Sequence, residues 1–120
     1  MEAARSVAVE GSPAEIGRVF VYPNPTRDPQ SAGVSYQLSL GGPIRLSVVD
    51  ISGRVLGTRD ISYDPVHPDA GVDVGLSTVP LRDILDGSTL APGLYLVRVE
   101  LFQNQTESAD VVLAKFAVLR

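Results

Sequence analysis

The feature that most constrains this chain is a strict alternation of apolar residues with other residues in several short segments. The clearest case is residues 94–102, where Tyr95, Val97, Val99 and Leu101 occupy every second position. Successive side chains of a β-strand point to opposite faces, so residues at this spacing share one face. The segment is therefore predicted to be a strand that buries one face.

The same period recurs in residues 34–38, 44–48 and 110–120. Gly41-Gly42-Pro43 separates the first two of these segments and predicts a turn, so the pair should form an antiparallel hairpin. The residues predicted to point into the core are Val34, Tyr36, Leu38, Ile44, Leu46, Val48, Val112, Ala114, Phe116 and Val118.

Turn-forming residues divide the remaining chain into further short elements. Pro23-Asn24-Pro25 should end a strand over residues 18–22, because proline cannot donate to a β-ladder. Residues 50–54, with an aspartate first and Gly53 near the end, predict a tight reversal. A strand follows over residues 54–62, with Val55 and Ile61 as expected core contacts.

The stretch from residue 71 to residue 87 predicts one more strand and a short helix. Val72, Val74 and Leu76 alternate and should share one face of a strand over residues 71–76. Residues 77–87 are the helical candidate, with Thr78 as the cap and Pro80 in the first turn.

These elements predict an all-β fold, an immunoglobulin-like antiparallel β-sandwich of about seven to eight strands. The length of 120 residues suits a single domain. Residues 1–17 are interpreted as an N-terminal arm or linker and residues 18–120 as the sandwich. Trp is absent and only three Phe occur, so the core should be mainly aliphatic.

Charge and composition argue against several functional classes. The net charge is −4, and the single lysine and nine arginines are spread along the chain, which is unlike a nucleic-acid-binding surface. The absence of cysteine excludes disulfides and thiolate sites. No apolar run reaches the roughly 20 residues of a transmembrane helix.

Catalysis and metal binding are weak alternatives. His67 could act as a base beside Asp64 or Asp69, but no oriented nucleophile accompanies it. Asp64, Asp69 and Asp73 could surround calcium, but their spacing fits no ligand loop and solvated loop carboxylates are the commoner explanation. We therefore predict no enzyme activity, no cofactor and no metal site.

Several segments together resemble bacterial C-terminal secretion-sorting domains of the type IX system (type A) and the related flagellar hook-capping immunoglobulin-like domain. These five segments are Val21-Tyr22-Pro23-Asn24-Pro25, Val34-Ser35-Tyr36-Gln37-Leu38, the hairpin at residues 44–55, residues 90–99 and the closing residues 113–120. The resemblance spans residues 19–120. It implies a seven-stranded sandwich at the end of a secreted protein that the export machinery recognises.

The expected function is that of a non-catalytic extracellular or cell-surface module for secretion sorting or surface attachment. Its partner should be protein, either the secretion or anchoring machinery or copies of itself, and its export signal would lie outside this chain. The candidate interaction residues are Val7, Val9, Lys115 and Arg120. An isopeptide crosslink would need Lys115 in the core, but its position opposite Phe116 predicts a solvent-facing side chain.

A structural subunit of an extracellular filament is the main alternative. Unpaired groups on an edge strand accept an added strand, and the alternating Val7 and Val9 could supply one to a neighbouring copy. Carbohydrate binding is a third possibility. It receives little support from the sequence, because most of the four tyrosines are predicted to lie in the core.

Overall fold

The computed structural model describes residues 14–63, 66, 72, 74–103 and 107–120. Within these residues the chain forms seven β-strands, one short α-helix and a single 3-10 turn over Pro29–Ser31. The elements are β1 (Ile16–Tyr22), β2 (Gly33–Leu38), β3 (Ile44–Asp50), β4 (Val55–Ile61), β5 (Gly75–Pro80), α1 (Leu81–Leu85), β6 (Gly93–Phe102) and β7 (Ser108–Val118).

The strands form two antiparallel sheets that pack face to face. One sheet has the order β1-β2-β5 and the other the order β4-β3-β6-β7. The hairpin predicted for residues 34–38 and 44–48 was wrong, because the chain crosses between the sheets at this turn: β2 pairs with β1 and β5, and β3 pairs with β4 and β6. Sequential strands pair as hairpins except at such crossings, which is the connectivity of an immunoglobulin-like sandwich. The predicted fold class is therefore confirmed. The first strand includes Ile16 and Gly17, which the sequence analysis assigned to the arm.

The core lies between the sheets and follows the alternation seen in the sequence. Val34, Tyr36 and Leu38 of β2 are fully buried, as predicted. The inward residues predicted for β3 and β6 are also buried, and Phe116 and Val118 complete the core from β7. A core of this kind holds the sheets together by removing apolar area from water.

Ser35 and Ser47 are buried although they point away from the core. Each lies on an inner strand of its sheet and is flanked by residues of both neighbouring strands. Ser35 lies between Phe20 and Thr78 in the strand register. Its hydroxyl oxygen is 2.9 Å from that of Thr78, so one polar group satisfies the other.

The helix predicted over residues 77–87 was wrong in its first half. Residues 77–80 belong to β5, where Thr78 pairs with Ser35 across the sheet. The helix begins at Leu81, and Pro80 is its N-cap without a side-chain hydrogen bond. Backbone pairing with β2 therefore outweighs the local helical signals of these residues.

Two predictions of inward-facing residues were also wrong. The strand predicted over residues 71–76 begins only at Gly75, and Val74 and Leu76 are exposed while Val72 is buried. Val55 is exposed because a register shift in the β3–β4 ladder pairs it with Val49, on the outer side of the sheet. An added residue in one strand reverses the direction of the side chains beyond it.

Helix α1 packs directly against the edge strand β4 at Gly57. A Cβ atom at residue 57 would collide with the carbonyl oxygen of Ile84 and lie 3.1 Å from the Cα atom of Leu85. Only glycine permits this approach of helix to strand.

We expect Gly57→Ala to lower the free energy of unfolding by about 1–3 kcal/mol, because the helix must move away from the sheet. Urea denaturation of the purified variant measures this change. Gly17→Ala is the matched control, since a Cβ atom there makes an ordinary 3.4 Å contact with Gln37. Equal stability of the two variants would contradict the packing of α1 on β4.

Burial raises the pKa of Tyr36 to about 12. The unfolded chain would ionise this phenol near pH 10. The fold thus favours the neutral form, and the resulting stability is present below about pH 10 and is lost as the pH rises towards 12. We expect the free energy of unfolding to fall more steeply over this interval in the wild type than in Tyr36→Phe. Parallel pH profiles of the two proteins would refute this assignment.

Candidate interaction surface

At one end of the sandwich, residues from three neighbouring strands of the four-stranded sheet lie side by side. Asp50 at the end of β3 pairs with Tyr95 near the start of β6, and Tyr95 pairs with Phe116 near the end of β7. We call this end the C-terminal pole and define it by these three residues together with Asn24 and Ala117. Four of the five segments that carry the family resemblance contribute a residue to it; the fifth, residues 34–38, lies in β2 of the other sheet.

The β3–β4 turn at the pole is organised by the Asp50 carboxylate. One carboxylate oxygen accepts hydrogen bonds from the backbone N–H groups of Ser52 and Arg54, both at 3.0 Å, and from the Ser52 hydroxyl at 2.6 Å. The Ser52 hydroxyl and these backbone groups lower the pKa of Asp50. Gly53 has φ = 92°, a conformation that favours glycine. The aspartate and glycine of this turn thus have structural roles.

Tyr95 fixes the connection that enters β6. Its hydroxyl donates a hydrogen bond of 2.5 Å to the carbonyl oxygen of Ala91. Its ring stacks on Phe116 with 5.7 Å between the ring centroids. A tyrosine near the start of this strand that bonds back to the preceding backbone is a feature of immunoglobulin-like sandwiches. Tyr95 is buried, as the alternation predicts, and its hydroxyl has a partner.

The side chain of Asn24 binds the outer edge of β7. Its amide nitrogen donates to the carbonyl oxygen of Lys115 at 3.2 Å, and its carbonyl oxygen accepts the Ala117 N–H at 3.0 Å. One carboxamide thereby satisfies an acceptor and a donor that an edge strand would leave unpaired.

The backbone continues this contact beyond Asn24. Thr26 donates its N–H to the carbonyl oxygen of Ala117 at 2.9 Å and accepts the N–H of Leu119 at 2.8 Å, forming a parallel bridge to β7. Arg27 adds a 2.5 Å hydrogen bond from its guanidinium to the Arg120 carbonyl oxygen. Residues 24–27 therefore hold the last residues of the chain against the sandwich, and we call them the strap.

The other end of β7 is also occupied. The carboxylate of Asp110 accepts the backbone N–H of Ile16 at 2.8 Å and that of Val111 at 3.0 Å. Donors near both ends of β7 are thus satisfied within the chain, which leaves few groups along this edge for an added strand.

The structure places two of the four candidate interaction residues at this pole. Lys115 lies on the exposed outer face of β7, as predicted, so it is not in the core where an isopeptide crosslink would form. Arg120 is exposed, and its backbone is held by the strap. Val7 and Val9 lie outside the described residues.

Sequence reasoning missed the functional side chains of the strap. Asn24 was interpreted only as part of a strand-ending segment, yet it contacts residues more than ninety positions away. The one available signal was an asparagine held between two prolines in a segment shared with the resembled family.

Among the described residues, no group of three or more His, Asp or Glu side chains is placed to hold a metal ion. His67, Asp64, Asp69 and Asp73, which carried the alternatives of catalysis and calcium binding, lie outside the described residues. No helix in the described part of the chain has the length and apolarity needed to cross a bilayer.

Comparison with known proteins gives structural neighbours only. No family model matches the chain, and no curated protein matches it. Among solved structures, β-glucuronidase from Lactobacillus rhamnosus is similar with 16% identity and a TM-score of 0.46. The apo β-glucuronidase from Ruminococcus gnavus is similar with 13% identity and a TM-score of 0.49. In both cases the match covers 89% of this chain, which spans 16% of the length of the enzyme.

We expect substitutions of Asn24 to change hydrogen exchange of individual β7 amides. Asn24→Ala removes the acceptor of the Ala117 N–H, so this amide should exchange about tenfold faster or more, consistent with the loss of roughly 1 kcal/mol of hydrogen bonding. Asn24→Asp retains a carboxylate acceptor and should preserve most of the protection. Exchange measured by NMR tests both. Protection of Ala117 that is unchanged in Asn24→Ala would contradict the contact.

Proposed function

We propose that this chain is a non-catalytic extracellular module for secretion sorting or surface attachment, recognised by export machinery at its C-terminal pole. The observation that carries the proposal is the convergence of four of the five resembling segments on this pole. They are distant in sequence, and the strand register and the strap bring them together around the last strand.

The closed edge of β7 favours recognition through side chains over recognition by strand addition. The strap binds the backbone near the end of this strand, so a partner would have to displace it to add a strand there. The side chains of Lys115 and Arg120 remain exposed beside the strap. They form a surface of fixed geometry with two positive charges on a chain of net charge −4.

The alternative of a filament subunit stays a prediction. Its proposed donor segment, with Val7 and Val9, lies outside the described residues. Occupied donors near both ends of β7 argue against this strand as the acceptor edge, so strand addition would use one of the other three edge strands, β1, β4 or β5. Helix α1 packs against β4 at Gly57, which disfavours the β4 edge.

The proposal is tested by export of a reporter. A signal peptide, a fluorescent protein and this chain are fused in that order and expressed in a bacterium with a type IX system. An otherwise identical strain without the translocon is grown in parallel. We expect the reporter at the cell surface or in the medium of the first strain and in the periplasm of the second. Periplasmic reporter in both strains would refute the sorting function.

Charge reversal at the pole tests where recognition takes place. We expect the double variant Lys115→Glu/Arg120→Glu to reduce the exported fraction about tenfold or more, because like charges at an interface are strongly unfavourable. Both side chains are exposed, so the fold should be retained. Arg59→Glu, an exposed residue of β4, is the matched control and should be exported normally. Normal export of the double variant would show that the pole is not the recognition surface.

A further inference from the structure

The outer face of the three-stranded sheet carries a groove whose walls and floor differ in chemistry. Phe20 and Tyr22, two residues apart on β1, point away from the core and form one wall. Small side chains pair across the sheet beside them, with Ser35 and Thr78 opposite Phe20 and Gly33 opposite Tyr22. Large residues at the edge and small ones at the centre of the sheet therefore produce a trough.

Two exposed aromatic side chains on one face are unusual for a chain with so few aromatic residues. Tyr22 is 74% exposed and Phe20 is 41% exposed, whereas Tyr36 and Tyr95 are buried. The sequence analysis expected most of the tyrosines in the core, and Tyr22 departs from that expectation. No hydrogen bond within the described chain uses its hydroxyl. Exposed aromatic area of this kind marks binding surfaces more often than structural ones.

The opposite side of the groove is polar and positioned by internal hydrogen bonds. The amide nitrogen of Gln30 donates to the carbonyl oxygen of Ser88 at 2.7 Å, which fixes its side chain. The Ser31 hydroxyl donates to the Asp28 carbonyl oxygen at 3.0 Å and retains its acceptor capacity. Both residues line the groove, which has a volume of about 510 Å³, within the range typical of small-molecule sites.

Arg82 supplies the only charge among the described residues that line the groove. It lies on the exposed side of α1, and its guanidinium makes no ion pair within the described part of the chain. Arginine binds carboxylates through paired, charge-assisted hydrogen bonds. An unpaired arginine beside an aromatic wall thus selects an anionic ligand that also has an apolar face.

We propose that this groove binds an acidic glycan through a uronic acid residue. The C–H face of a pyranose ring packs on Tyr22, because the faces of aromatic rings are electron-rich and attract the polarised C–H groups. Phe20 extends the wall at its exposed edge, since the Arg18 guanidinium lies over its ring at 5.8 Å from the centroid. The sugar hydroxyls meet Gln30, Ser31 and the Ser35–Thr78 pair, and the carboxylate meets Arg82. The site lies on the sheet that does not contain β7, so the proposal does not depend on the sorting function.

The chemistry of the groove disfavours other polymers. A nucleic acid carries a charge at every residue and needs a basic track, whereas the groove contains one cation. A peptide bound by strand addition would use the edge of β1 or β5 and would not need the aromatic wall. A glycan with spaced carboxylates matches both the single arginine and the aromatic platform.

The test uses the purified chain and isothermal titration calorimetry with oligomers of galacturonate, mannuronate and glucuronate, each alongside its methyl ester. Esterification removes the carboxylate charge and leaves the sugar faces intact. We expect at least one acid oligomer to bind with a dissociation constant below about 1 mM and its ester to bind about tenfold more weakly. No binding by any of the acid oligomers at millimolar concentration overturns the proposal.

Two variants test whether the ligand binds in this groove and whether Arg82 recognises its carboxylate. Tyr22→Ala should abolish measurable binding, and the high exposure of Tyr22 means that the fold should be retained. Arg82→Gln should weaken binding of the acid about tenfold and bind acid and ester alike, since the charge preference resides in this residue. Arg45→Gln, on the opposite sheet, is the control and should bind as the wild type does. Wild-type affinity in Tyr22→Ala, or a preference for the acid retained in Arg82→Gln, would contradict the assignment.

Discussion

The backbone pairing of Thr26 with β7 is the interaction on which the arrangement of this end of the molecule depends. β1 belongs to the three-stranded sheet and β7 to the four-stranded sheet, so the strap that follows β1 must cross from one sheet to the other. The hydrogen bonds of Thr26 with Ala117 and Leu119 complete that crossing. They close the sandwich at the C-terminal pole and hold the last residues of the chain in place.

The core could be predicted from the sequence because burial in a sandwich follows a local rule. Alternation alone identified Tyr36, Leu46, Val97 and Phe116 as inward residues, and all are buried. The rule failed at Val55, where a register shift in the β3–β4 ladder changes the direction of the side chain. Such a shift depends on how two strands pair, and the sequence of one strand does not encode it.

The start of helix α1 is a second position where pairing between strands decided the structure and the local sequence did not. Thr78 and Pro80 carry local signals for a helix, but pairing with β2 extends β5 to Pro80 and delays the helix to Leu81. Extending β5 adds hydrogen bonds to its ladder with β2 and gives the Ser35 hydroxyl a partner in Thr78. The two strands are more than forty positions apart in the sequence. Local propensity is a weak guide where a neighbouring strand is available.

The candidate surfaces were harder to predict than the core. The resemblance identified the segments of the pole but not their contacts, because Asn24 acts on Lys115 and Ala117 across the whole length of the chain. The aromatic wall was missed because Phe20 and Tyr22 lie in a strand where the apolar residues do not alternate, so their direction became clear only from the pairing with β2. Both surfaces depend on how distant parts of the chain pair with one another, and both lie on the outside of the sandwich.

The strap is tested most directly by joining Thr26 to Val118 through a disulfide. The two residues form a parallel bridge and are both buried, and bridged residues in adjacent strands lie at a separation that a disulfide can span. The chain has no native cysteine, so Thr26→Cys/Val118→Cys contains a single pair. The account predicts that mild oxidation of the folded variant forms an intramolecular crosslink, seen as the loss of two hydrogen atoms from the intact mass. Two free thiols in the folded, oxidised protein, or crosslinked dimers alone, would contradict it.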